Sequence, residues 1–142
     1  MLEFAVWVGG DPKPQPRARA FSRGGKASVY NPSTAEGWKS AVATELRPFI
    51  PDVPESGPVA VRLRFVFARP KTHYTKKGLR PEAPLYHTAA KDCDNLAKGL
   101  MDACTVIGLW RDDGQVARLD VAKTYGEKPG CMVEVRTLEA TR

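Results

Sequence analysis

The chain has 142 residues, 42 per cent of them hydrophobic, with 22 Lys and Arg against 16 Asp and Glu, a net charge of +6. That length suits one domain, 1–142, with a modest core. No run of eighteen apolar residues exists to cross a membrane, and an acid at position 3 without a basic lead argues against a secretory signal. Three cysteines (Cys93, Cys104, Cys131) form no CxxC pair, and only His73 and His87 could supply imidazole. A disulfide framework and a zinc site are therefore disfavoured, and a reducing, cytoplasmic setting is expected. The positive balance favours a polyanionic partner without proving one.

Residues 2–8 alternate Leu2, Phe4, Val6 and Val8 with other positions, which predicts a strand. Residues 11–25 carry three prolines, two glycines and three arginines, and so predict a long basic loop with no regular element. Asn31-Pro32 and a capping box of Ser33 with Glu36 predict a helix over 34–47, with Trp38, Val42 and Leu46 on one side and Pro48 as its stop. Residues 59–67 place Val59, Val61, Leu63, Phe65 and Phe67 on one face of the clearest strand. A second basic loop is expected over 70–84. A helix comes next over 94–107, with Leu96, Leu100, Ala103 and Ile107 as its stripe and Gly108 as its end. Residues 116–125 and 131–138 read as two strands joined in a hairpin by Gly126-Glu127-Lys128-Pro129-Gly130. The order predicts an α+β fold: one mixed sheet with two helices packed against it. The apolar strands 59–67 and 131–138 are also candidate dimer surfaces.

Acidic residues concentrate at two places near the second helix: Asp92-Cys93-Asp94-Asn95 before it and Asp112-Asp113 after it. An N-cap role at a typical benefit of about 1 kcal/mol accounts for Asp94 alone. In an extended lead-in, Asp92 and Asp94 share a side, and converging carboxylates repel unless a cation or proton lies between them. Magnesium suits such a site because it takes oxygen ligands and keeps waters. Lys98, four residues after Asp94, is either a surface ion-pair partner or a cation beside a scissile phosphate. Asp102 reads as a solvated partner of Lys98. Asp112-Asp113 reads on spacing alone as a surface turn. A fourteen-residue helix carries the chain about 20 Å from Asp94, so spacing does not bring Asp113 to Asp92.

The stretch Asp92-Cys93-Asp94-Asn95-Leu96-Ala97-Lys98, then Gly108-Leu109-Trp110-Arg111-Asp112-Asp113-Gly114-Gln115-Val116, resembles the signature of RusA-type Holliday junction resolvases, both in its motifs and in their separation. Pro14-Gln15-Pro16-Arg17-Ala18-Arg19, Tyr30-Asn31-Pro32, and His87-Thr88 ahead of Lys91-Asp92 are similar more loosely to segments of phage-borne members. The resemblance implies that Asp92, Asp94 and Asp113 are catalytic, magnesium-binding aspartates and that Lys98 is a catalytic lysine. It implies a homodimer that nicks opposing strands of four-way DNA with Mg²⁺. Asp112 stays open between a turn residue and an accessory ligand. Arg17, Arg19, Lys71, Lys76 and Lys77, in the two basic loops, are expected to follow the DNA backbone by charge. The alternatives are a nuclease for flaps or other branched DNA, and a non-catalytic DNA-binding protein.

Overall fold

The computed structural model of the protein describes residues 1–15, 19–23, 26–30 and 35–141, the segments 19–23 and 26–30 by their backbone alone. The elements run β1 (Glu3–Gly9), β2 (Arg19–Arg23), β3 (Lys26–Tyr30), α1 (Glu36–Leu46), β4 (Val59–Ala68), β5 (Tyr74–Thr75), β6 (Gly78–Leu79), α2 (Cys93–Ile107), β7 (Val116–Gly126) and β8 (Gly130–Thr137). The main sheet has the order β1-β8-β4-β7; β2-β3 and β5-β6 are separate two-stranded ribbons. The α+β class with two helices and a mixed sheet is as expected from the sequence.

One apolar cluster explains why these segments fold together. The period-two residues of β4 (Val59, Val61, Leu63, Phe65, Phe67) and of β8 (Cys131, Val133, Val135) are all buried. They meet Trp38, Val42 and Leu46 of α1 and Leu96, Leu100, Ala103 and Cys104 of α2 in a single core. The other sides of these strands carry polar residues. There Arg64 makes a two-pronged bond to Asp120 at 3.0 and 3.1 Å, and Arg62 lies 3.6 Å from Glu134. One face wet and one face covered by helices is the pattern that strict alternation produces. All three cysteines are free; burial pushes the Cys104 thiol up and the Cys131 thiol up to about 12, so both behave as core apolar groups.

Five expectations need correction. β7 and β8 are not a hairpin. β4 lies between them, parallel to β7 and antiparallel to β8. The connection from Gly126 to Gly130 therefore spans two strand spacings, roughly 10 Å, where a hairpin turn spans about 5 Å; alternation within a strand does not report its neighbours. Second, Arg19–Arg23 and Lys26–Tyr30 pair as a ribbon, with Arg23 opposite Lys26. Gly24-Gly25 between two short alternating runs is a hairpin signal that the prolines upstream obscure. Third, the segment 70–84 contains a 3₁₀ turn (Lys71–His73) and the β5-β6 ribbon. Fourth, β4 and β8 each have both edges paired and their apolar sides in the core, so those apolar sides are not free for a dimer contact. Fifth, α1 starts at Glu36 with Ala35 as its N-cap and no side-chain cap, so the expected Ser33–Glu36 capping box does not set its start. Ser33 itself, Thr34 and Arg17 lie outside the described residues. Arg19 is on β2, its side chain likewise outside the description.

The parallel pairing of β4 and β7 positions α2. Parallel neighbours need a long crossover, usually a helix. Here residues 69–115 provide it, and α2 is its helical part.

Candidate active site

α2 begins one residue earlier than expected. Asp92 is its N-cap, with φ −71° and ψ 142°, and its side chain makes no capping hydrogen bond. Asp94 is thus already helical. Two residues apart on a helix do not share a face, so the convergence expected of an extended lead-in does not apply to Asp94. Both carboxylates are exposed, at the positive end of the helix dipole. Lys91 immediately before them has φ 99°, a sparsely populated backbone state for a residue with a Cβ. Its carbonyl accepts from Lys123 Nζ on β7 at 2.8 Å, and its ammonium lies 5.0 Å from the Phe67 ring centre. The chain entering the helix is therefore tied to the sheet.

Asp94, Lys98 and Asp102 come at four-residue steps and so lie along one face of α2. Leu96, Ala97, Leu100, Ala103 and Cys104 bury the opposite face, which keeps that row of charges at the surface. Lys98 Nζ is 3.8 Å from Asp102 Oδ2, a pair with the lysine side chain 60 % exposed. Such pairs hold by about 0–1 kcal/mol, so Lys98 is free to exchange this partner for a phosphate.

Asp113 is delivered by a 3₁₀ turn, Asp113–Gln115, between α2 and β7. Gly108 at φ 90° stops the helix, and Leu109 and Trp110 drop into the core. Asp112 caps the turn: its Oδ2 accepts from Gly114 N at 2.8 Å. A Cβ at position 114 would stand 2.6 Å from that same oxygen, which explains the glycine. Gln115 completes the capping box. Its Oε1 accepts from Arg111 N at 2.8 Å and Asp112 N at 2.9 Å, and its Nε2 donates to the Glu55 and Gly57 carbonyls, both at 2.8 Å. The turn reading of Asp112 thus has a structural basis: its carboxylate closes the turn.

The Asp113 carboxylate turns back onto α2. Its Oδ1 accepts from the Thr105 hydroxyl and, at 3.5 Å, from Trp110 Nε1. Asp102 lies against it. Burial pushes the Asp102 carboxyl above its usual range, and its hydrogen bond with Asp113 adds to the rise. Burial works the same way on Asp113, but the bonds from Asp102, Thr105 and Trp110 and the Lys98 charge outweigh it and hold Asp113 below the usual range. Within the pair, the shifts run in opposite directions: Asp102 is the weaker acid and Asp113 the stronger. The structure thus brings Asp113 to Asp102 and Lys98, near the C-terminal half of α2. Asp94 is eight residues before Asp102, about 12 Å along the axis. Among the described residues, no three of His, Cys, Asp and Glu form a group that could hold a metal. Asp102, Thr105 and Trp110 are neighbours of Asp113 that the sequence does not reveal. The four-residue step from Lys98 is visible in it, whereas the fold of the turn that makes Asp102 a neighbour of Asp113 is not.

The basic residues divide. Lys76 and Lys77 form the two-residue tip of the β5-β6 ribbon and are exposed; Lys77 N donates to Thr75 Oγ1 at 3.2 Å. Lys71 is exposed at the start of its 3₁₀ turn.

These two acidic groups and the lysine between them lie inside residues 9–136, the stretch matched by the family model of endodeoxyribonuclease RusA. The chain belongs to the RusA family. RusA enzymes are endodeoxyribonucleases that resolve Holliday junctions, so this protein is a phosphodiester hydrolase acting on DNA. A relative in Bacillus subtilis (strain 168), described as uncharacterized protein YqaN, is 31 % identical over 142 residues, covering 98 % of each chain. The RusA match extends over the end of β1 and most of the closing β8 as well as the motif region.

Proposed function

We propose that this RusA-family protein is a magnesium-dependent resolvase that acts as a homodimer and nicks opposing strands of a four-way junction. The observation that carries the reading is the exposed face of α2. Asp94 and Lys98 stand along it at the family's motif spacing, Asp92 precedes it as the N-cap, and the turn at 112–115 adds Asp113 to its far half. The donors fit a small hard cation. They are carboxylate oxygens only, and magnesium takes one or two carboxylates while waters and substrate phosphates fill the other positions. Asp92, Asp94 and Asp113 are its proposed ligands. With Asp113 beside Asp102, about 12 Å along α2 from Asp94, one ion does not reach all three in this arrangement. A single ion would sit at the start of α2 with Asp92 and Asp94 or at the 112–115 turn with Asp113. When bound, magnesium supplies an activated water and polarises the phosphoryl oxygen.

The chain's own residues do the rest. Lys98 exchanges Asp102 for a phosphate oxygen and offsets the charge that develops there. Asp102 is the weaker acid of its pair with Asp113, and the bonds to Asp113 favour the ionised form of Asp113. Without a cation, exposed carboxylates repel the DNA backbone, so the acidic face discourages productive docking until metal is present. The Lys76-Lys77 tip and Lys71 are placed to meet backbone phosphates away from the cut, with Arg17 and Arg19 as further contacts.

The test compares cleavage of a synthetic four-way junction, a flap and a linear duplex at one enzyme concentration with magnesium. The junction should be cut into two nicked duplexes far faster than either other substrate. Equal rates on all three would overturn the resolvase reading and leave a nuclease without preference for branched DNA.

A further inference from the structure

Trp110 is 1 % exposed, and its indole Nε1–H can only donate. It donates to Thr105 Oγ1 at 2.8 Å. The Thr105 hydroxyl in turn has one proton and two acceptors within reach: the Met101 carbonyl at 3.2 Å, one turn back, and Asp113 Oδ1, which is closer. A bond to an ionised carboxylate is the stronger of the two, so the proton goes to Asp113. The three groups form a chain, indole to hydroxyl to carboxylate, in which each donor polarises the next.

Satisfying a buried indole explains only the first link, since Thr105 alone does that. Nor is the second link needed to fold the turn, which Asp112 and Gln115 already close through six hydrogen bonds of their own, counting the Gln115 backbone bond to Asp112 O at 3.0 Å. What the second link adds is aim. Both donors reach Oδ1, which sets the plane of the carboxylate and leaves Oδ2 untouched by either. Thr105 sits inside α2 and Trp110 is in the core, so the carboxylate is referenced to the same helix that carries Asp94 and Lys98.

We infer that Thr105 and Trp110 are positioning residues for Asp113, orienting its carboxylate for the DNA cleavage step without touching the DNA themselves. This rests on the proposed role of Asp113. The test uses the full chain with Thr105→Val, Thr105→Ser, Trp110→Phe and Asp113→Asn. Single-turnover cleavage of a four-way junction, junction affinity, and the indole N–H resonance of Trp110 are measured for each. A lost charge-assisted bond corresponds to roughly tenfold or more in rate. Thr105→Val should therefore slow cleavage at saturating junction by about tenfold or more while affinity changes by less than about twofold. Thr105→Ser, which keeps the hydroxyl, should restore the rate to within about threefold. The Trp110 indole resonance should move in Thr105→Val and in Asp113→Asn, and hold in Thr105→Ser. Unchanged cleavage by Thr105→Val beside an inactive Asp113→Asn overturns the inference while sparing the role of Asp113. Full cleavage by Asp113→Asn overturns the role itself. If Thr105→Val does not fold, Trp110→Phe decides: it deletes only the first donor, and cleavage equal to the unaltered protein's refutes the chain.

Discussion

Asp112 accepts from Gly114 N within its own turn, while Asp113 reaches across to Thr105 on α2. Two adjacent acids thus serve different ends, and the sequence distinguishes them only through the family motif. The roles proposed for Asp92, Asp94 and Lys98 rest on the same motif. The pairing of Asp102 with Lys98 was legible from their four-residue step, but its contact with Asp113 was not, because that depends on which turn of α2 faces residue 113. His87 shows a further single-residue effect. It is buried, stacks on Phe67 with ring centres 4.1 Å apart, and its Nδ1 has no hydrogen-bond partner. Burial lowers its pKa, and the charges of Lys123 and Lys91 lower it further. A depressed folded pKa means that the unfolded chain gains a proton first as the pH falls. Stability is then complete above the ordinary histidine value of about 6.5 and declines as pH drops from there through the lower folded value. His87→Phe keeps the stack and removes the proton. Urea midpoints at pH 7 and pH 5 should differ for the unaltered protein and differ less for the variant; equal differences in both would refute this origin.

At the level of elements, the strands and helices with a buried apolar stripe were legible to within two residues. β4 and α2 match because Val59 to Phe67 and Leu96 to Ala103 alternate with the periods that packing demands. Pairing was less legible. Nothing in the β7 or β8 sequence announces that β4 inserts between them, since a strand's own period describes its two faces and not its edges. The turn before β7 illustrates an element held by one side chain. Gln115 makes four hydrogen bonds to backbone groups of residues 55, 57, 111 and 112. Gln115→Ala leaves those groups to compete for water, and a loss of roughly 2–3 kcal/mol in unfolding free energy is expected. Urea denaturation measures it, and a loss below about 0.5 kcal/mol would show that the turn stands without the glutamine.

Over the whole molecule, charge is segregated. Residues 69–91 carry six basic residues and one acid, Glu82, and project from the ends of β4 and β7, whereas the exposed face of α2 carries Asp94, Lys98 and Asp102. A polyanion held by the first region can meet the second only when the acids are neutralised. In the proposed reading the Lys76-Lys77 tip grips the DNA and takes no part in the cleavage step. Replacing both by Ala should reduce the slope of log affinity against log salt by up to about 2, at roughly 0.9 per phosphate contact. Cleavage at saturating junction should be nearly unaltered. An unchanged slope would remove the ribbon from the DNA interface. The carboxylates at the start of α2 are assigned here to metal-assisted cleavage of branched DNA. Following cleavage of one four-way junction with and without magnesium, for the unaltered protein and for Asp94→Asn, puts that assignment to the test. Paired nicks are expected only with magnesium and only with Asp94 intact, alongside junction binding by both proteins. Cleavage by Asp94→Asn at the unaltered rate, or cleavage in the presence of a chelator, would refute the assignment.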